Sequence, residues 1–232
     1  MNIKIHMSVV IMSCLVITGC VGKYIAAMGP PRTIILRDTT AEINHSSQPT
    51  KTIRVMIFKD SREKKEFIGK VYNNIGEKVK DLQLYDGRSL ESSLSFIIAD
   101  SFVRNGYKVI YGLDNMKAKV DYEISGVIWD FEIVEKTTTP RLNDSLLPEL
   151  NIKNSIPNYA QINNQRSYGH DSIGSASIKV TIGEPGTNRS QSKEIWFKKE
   201  VPQATAQEMA TILVAHIVTE SNKYVRGFSR ND

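Results

Sequence analysis

Cysteine is nearly missing from this chain: 232 residues hold two, Cys14 and Cys20, both within the first twenty. That excludes a disulfide framework in the body of the protein and any zinc site built from cysteine pairs. Histidine is also scarce, with His6, His45, His170 and His216, and their spacing fits no metal site. No HExxH motif occurs, no Gly-rich loop precedes a helix, and no internal repeat is visible, so no cofactor is expected. Clustered basic residues interleaved with aromatics are lacking too, which excludes a groove for single-stranded nucleic acid. Long apolar runs are absent as well. Met7 to Ile17 (MSVVIMSCLVI) is free of charge but spans 11 residues, against roughly 20 for a membrane-crossing helix.

That short run has a different use. Lys4 precedes it and small residues close it, the three parts of a secretory signal. Its end, Ile17-Thr18-Gly19-Cys20, resembles a bacterial lipobox, in which the cysteine is lipidated after the signal is removed. Residues 1–19 are therefore expected to leave as a signal peptide, taking Cys14 with them. Cys20 then carries a diacylglycerol thioether and an N-acyl chain. Three acyl chains at about 0.8 kcal/mol per buried methylene exceed what stable anchoring needs. Val21 follows, not the Asp that favours inner-membrane retention in the enteric sorting rule. The expected location is the periplasmic face of the bacterial outer membrane.

The mature chain of 213 residues suits one domain with a sizeable core. Its net charge of +5 falls to +4 once Lys4 leaves, and the excess is spread along the chain, as on a solvated surface. Residues 20–51, with Gly29-Pro30-Pro31 and a Ser/Thr/Asn/Gln tract, read as a lipidated N-terminus and flexible tether, with Ile34 to Leu36 pairing at a sheet edge. Residues 52–232 read as a periplasmic α/β domain. In "TIRVMIFKD", Ile53, Val55 and Ile57 alternate as in a half-buried strand. Asp60, Arg62, Glu63 and Glu66 form a charged turn, read as solvated, before a second strand in "EFIGKVYNN". Leu90, Leu94, Ile97, Ile98 and Phe102 form a helical stripe over 89–105, with Asp86 or Ser89 as cap and Asn105-Gly106 as stop. Tyr107 to Ile110 is a short strand. Near the end, Ala176 to Ile182 and Ile195, Phe197 and Val201 form a hairpin around "GEPGTNRSQ". Ala206, Met209, Ala210, Leu213, Ile217 and Tyr224 form a second helical stripe, begun by Pro202 and ended by Gly227. Two amphipathic helices and about five strands predict a two-layer α+β domain, both helices on one face of a mixed, mostly antiparallel sheet.

Two segments carry the functional questions. In "KVDYEISGVIWDFEIVEK" the apolar set is Tyr122 and Ile124, then Val127, Trp129, Phe131 and Ile133, on the opposite parity. A bulge at Gly126 keeps the second set in the core. Without one, Trp129, Phe131 and Ile133 emerge on the far face as an apolar partner surface. The bulge is the expected arrangement. Residues 137–173 are rich in Asn, Ser and Pro without sustained period, and read as a long loop, mobile or itself a site. Within it, His170-Asp171-Ser172 comes nearest to catalytic chemistry. A nucleophile elbow needs Gly-x-Ser-x-Gly, however, and Ser172 lies three residues after Gly169. His216 reads as a packed histidine. The expectation is a protein without enzymatic activity, a hydrolase being the remote alternative.

The order of these features resembles the YajG-like bacterial lipoproteins. "VMIFKDSREKKEFIGKV" supplies a strand, an Asp-x-Arg turn (Asp60, Arg62) and Ile68-Gly69, and "SLESSLSFIIADSFVRNGYKV" the following helix. "VDYEISGVIWDFEI" and "SASIKVTI…KEIWFKKEV…ATAQEMATILVAHIVTE" match the later strands and last helix. The resemblance implies an envelope lipoprotein without known chemistry; held to the membrane by its anchor, the chain is expected to have a binding or assembly role towards an envelope protein or lipid. It implies no catalytic residues. Auxiliary lipoproteins of ABC-type lipid transport systems are similar in layout. They imply the alternative of an accessory subunit in envelope lipid or glycan transport.

Overall fold

The computed structural model of the chain describes residues 31–38, 51–112, 118–137 and 169–229. The signal, the lipobox residues Ile17, Thr18, Gly19 and Cys20, most of the tether and residues 138–168 of the expected loop lie outside them. Among the described residues, nine strands form one mixed sheet: β1 (Arg32–Ile34), β2 (Thr52–Val55), β3 (Lys59–Asp60), β4 (Gly69–Tyr72), β5 (Lys78–Leu84), β6 (Lys108–Tyr111), β7 (Tyr122–Thr137), β8 (His170–Gly183) and β9 (Ser190–Val201). Two helices, α1 (Leu90–Arg104) and α2 (Ala206–Ser229), cover one face. The fold is α+β, as expected.

The 16-residue β7 is the spine. Along one side it pairs in series with β2, β3 and β4, all parallel; along the other it pairs antiparallel with β8, and β9 follows antiparallel on β8. β5 joins β4 antiparallel, β1 lies parallel to β5, and β6 lies parallel to β2. The two longest ladders are thus antiparallel, and the parallel ones are short. β1 supplies an edge pairing over Arg32–Ile34, so of the expected Ile34 to Leu36 only Ile34 takes part.

Strand parity sets the core. Tyr122, Ile124, Ile128, Phe131 and Ile133 of β7, with Ile178, Val180 and Ile182 of β8, point at the helices and are buried. Leu90, Leu94, Ile98 and Phe102 of α1 and Met209, Leu213, Ile217 and Val225 of α2 meet them. Each such side chain contributes about 1.5–3 kcal/mol of transfer free energy. Ser89 caps α1, its Oγ accepting from Ser92 N at 3.4 Å, and Gly106 at φ +83° turns the chain out. The helices are joined by Asn222, whose Nδ2 donates to Ser101 Oγ at 3.2 Å.

Several expectations are corrected. The β7 bulge lies not at Gly126 but between Ile128 and Asp130, with Trp129 as the extra residue. Ile128, not Val127, joins the core; Phe131 and Ile133 are buried as expected, and Trp129 is exposed. Gly126 serves another purpose: a Cβ there would lie 2.5 Å from the Phe58 ring, so glycine makes room for that side chain. β2 ends at Val55, which leaves Ile57 exposed while Phe58 turns inward. β5, in "KVKDLQL", was not foreseen. The expected loop is shorter at both ends, because Thr137 closes β7 and His170 to Ile173 pair with it as the start of β8. α2 starts at Ala206 rather than Pro202. Thr205 Oγ1 accepts from Glu208 N at 3.3 Å and Glu208 Oε2 from Thr205 N at 2.7 Å, a reciprocal capping box. The helix also passes through Gly227, because Phe228 is buried edge-on against Tyr122 with ring centroids 5.5 Å apart.

Candidate functional site

The helices leave the other face of the sheet open at β7, β8 and β9. Cross-strand partners share a face, and Ser177 pairs with both Asp130 and Trp196. Ile195 and Phe197 point to the helix side, the latter with its ring centroid 5.1 Å from that of His216, which is a packed histidine as expected. Trp196, between them, therefore points to the open side, where it is 66% exposed. The bulge puts Trp129, 40% exposed, on the same side next to Asp130. The chain has two tryptophans in all, and both stand on this face.

Polar groups lie between the two indoles. Ser175 Oγ donates to Asp130 Oδ2 at 2.7 Å. Ser177 is only 3% exposed, and its Oγ has no hydrogen-bond partner among the described residues. Trp196 Nε1 donates to Glu194 Oε2 at 3.3 Å, which fixes the indole's tilt. Beside Trp129 the face opens into a cleft of about 1060 Å³, walled by the 61–68 segment, Lys70, Lys78, Asp81 and residues 129–132. Lys70 Nζ donates to Glu132 Oε1 at 2.8 Å, and that hydrogen bond holds the ammonium pKa above its ordinary value.

The wall of the cleft depends on Asp60 and Arg62. The sequence reads them as a solvated turn; both are buried. The Arg62 guanidinium donates to Asp60 through Nη2 at 2.8 Å and Nε at 3.1 Å, and to the carbonyls of Phe67 at 3.0 Å, Phe131 at 3.3 Å and Lys65 at 3.3 Å. One side chain thereby staples the loop onto β7 next to the bulge. Burial pushes the Asp60 carboxyl pKa up. The hydrogen bonds from Arg62 and the charges of Arg62 and Lys65 outweigh that and hold it below the usual carboxylate range.

The His170-Asp171-Ser172 cluster does not converge. Ser172 Oγ is buried and donates to Ala204 O at 2.8 Å, while Asp171 Oδ1 accepts from Gln203 N at 3.0 Å. His170 Nδ1 lies 3.3 Å from buried Glu135, whose carboxylate also takes Arg32 Nη1 at 2.7 Å and Ala206 N at 2.5 Å. Glu135 thus sits at the N-terminus of α2, where a negative charge is favoured, and ties β1, β7 and α2 together. Among the described residues no three His, Cys, Asp or Glu side chains group to hold a metal. No helix among them is long and apolar enough to cross a membrane.

Of the three residues of the alternative partner surface, only Trp129 is on the open face; Phe131 and Ile133 lie under the helices. Sequence reasoning passed over Trp196 and Ser177. The signal for Trp196 was its parity, opposite to the core residues Ile195 and Phe197 on either side.

No family model matches the chain, and no curated protein matches it. Among solved structures it is similar to protein XCC0632 from Xanthomonas campestris, of family DUF330. The identity is 11%, 85% of this chain and 99% of that chain are covered, and the TM-score is 0.38. A second, described as an uncharacterised protein, has 10% identity, the same coverage and a TM-score of 0.40.

Proposed function

We propose that this chain is a lipid-anchored bacterial envelope protein of YajG-like kind that acts by binding another envelope component through the open face of its sheet. Anchoring at Cys20 on the periplasmic side of the outer membrane rests on the lipobox Ile17-Thr18-Gly19 at the end of a short, charge-free run. The role in binding is carried by one observation: both tryptophans stand on the single sheet face that the helices leave uncovered. Large exposed aromatics beside a cleft are costly to keep wet and are enriched where partners dock. The reaction chemistry of a hydrolase has no support in the neighbourhood of His170, where Ser172 and Asp171 are occupied by backbone groups.

The test is a pull-down of the acylated protein after crosslinking in cells, comparing the wild-type chain with a Trp129→Ala/Trp196→Ala variant. The expected result is a component captured by the first and lost from the second at equal protein level. Capture that the double variant leaves unchanged would place the binding elsewhere. A core transport subunit among the captured proteins would assign the chain to a lipid or glycan transport assembly.

A further inference from the structure

We infer that the component read by the open face is a saccharide chain without strong net charge, bound across β7, β8 and β9 with sugar rings stacked on Trp129 and Trp196. The inference rests on the binding reading above and names its ligand class.

Three observations carry it. First, the two indoles stand two strands apart, about 10 Å along the direction in which strands are spaced, on a rigid hydrogen-bonded sheet. Trp196 Nε1 donates to Glu194 on the same strand face, which favours one orientation of the indole. Second, the strip between them is made of hydroxyls and a lysine, Ser175, Ser177 and Lys179, where the centre of a protein interface would be apolar and poor in charge. A sugar ring offers an apolar C–H face for an indole and a rim of hydroxyls for hydrogen bonds, the two chemistries this strip alternates. Within this strip the Ser177 Oγ is buried and has no hydrogen-bond partner among the described residues, and a sugar hydroxyl that settles between the indoles, turning the side chains over that oxygen aside, would supply one. Third, the charges cancel. Lys70, Lys179 and Lys198 face Asp130, Glu132 and Glu194 over the same area. Such a face presents no net positive field to draw an anionic lipid surface or a phosphate.

The full acylated chain, reconstituted in phosphatidylcholine vesicles, provides the test. Its only tryptophans are the two in question, so fluorescence excited at wavelengths that its nine tyrosines do not absorb reports on this face alone. Titration with tetrasaccharides of β-linked N-acetylglucosamine, glucose and mannose should give a saturable shift with at least one of them. Trp196→Ala, read through Trp129, should weaken that affinity at least tenfold, as for loss of a principal contact. Ser177→Ala should weaken it by about threefold, and Lys223→Ala, on the outer side of α2, should leave it unchanged. A flat response to all three sugars up to millimolar concentration overturns the inference, as does equal affinity in Trp196→Ala. A shift produced by adding phosphatidylglycerol to the vesicles, with no sugar present, would identify a lipid surface instead and overturn it too. Flat sugar titrations together with a protein captured in the pull-down would leave the binding role standing without the glycan.

Discussion

Replacing Arg62 by alanine should unfold the cleft wall and weaken the whole domain. The guanidinium makes three bonds to the Asp60 carboxylate, two from Nε and one from Nη2, and one to each of three carbonyls, all within 3.3 Å, on side chains that are 7% and 4% exposed. Its removal leaves a buried carboxylate with the residue-62 backbone N–H at 3.0 Å but no ion-pair partner, which costs about 3–5 kcal/mol. A domain of this size is stable by roughly 5–15 kcal/mol in total, so the shift in the denaturant midpoint will be large. Arg62→Lys keeps the charge but loses the planar fork that reaches Asp60 and the carbonyls together, and should recover less than half. The acid dependence gives a second check. In the wild-type protein the folded-state pKa of Asp60 is lowered, so its contribution is present above about pH 4, the unfolded carboxylate range, and is lost as pH falls through the lower folded value. In Arg62→Ala the guanidinium's hydrogen bonds and charge are gone, so burial is opposed only by the residue-62 N–H and the charge of Lys65; the pKa rises relative to the wild type and less stability is lost in acid. The stability gap measured by guanidinium denaturation should therefore narrow from pH 7 to pH 3. A loss below about 1 kcal/mol at pH 7, within the range of surface changes, would refute the clamp.

Gly69→Ala should cost about 3 kcal/mol or more, because its Cβ would lie 1.9 Å from the Ile133 carbonyl oxygen, a backbone atom that cannot turn aside; a near-neutral denaturation curve would contradict the β4–β7 register. Phe131→Ala should cost about 3–5 kcal/mol, whereas Trp129→Ala, with solvent to fill the space it leaves, should cost about 1–2 kcal/mol. Equal losses at the two positions would move the bulge. Cys20→Ser should abolish incorporation of an alkyne fatty acid and release the protein from membranes; a labelled variant would refute the lipobox.

The helices were legible because their stripes are uninterrupted: Leu90 to Phe102 and Met209 to Tyr224 recur at a spacing that little else produces. The long strands were legible for the same reason at period two. The bulge was visible only as a change of parity between Ile124 and Phe131. Its place could not be read, since Gly126 offered a local explanation while the real constraint, the Phe58 ring against that glycine, comes from a residue 68 positions earlier. The Asp60–Arg62 pair looked like surface because its neighbours Glu63, Lys64, Lys65 and Glu66 are charged. Its burial depends on carbonyls of Phe67 and Phe131 that only the folded sheet brings within reach. The open face with its two tryptophans escaped for a related reason. Trp129 and Trp196 are 67 residues apart in the chain, and only the β7–β8–β9 register sets them side by side.

The central claim, that this protein works through the open face of its sheet, is tested most directly by site-specific photocrosslinking in living cells. A photoreactive side chain at position 198, on the open face beside Trp196, is compared with one at position 223, on the outer side of α2, where Lys223 is exposed. The account predicts a discrete adduct from position 198 and none from position 223, with both proteins anchored and at equal level. Adducts from 223 with silence at 198 would show that the helical face is the one that binds, and would contradict it.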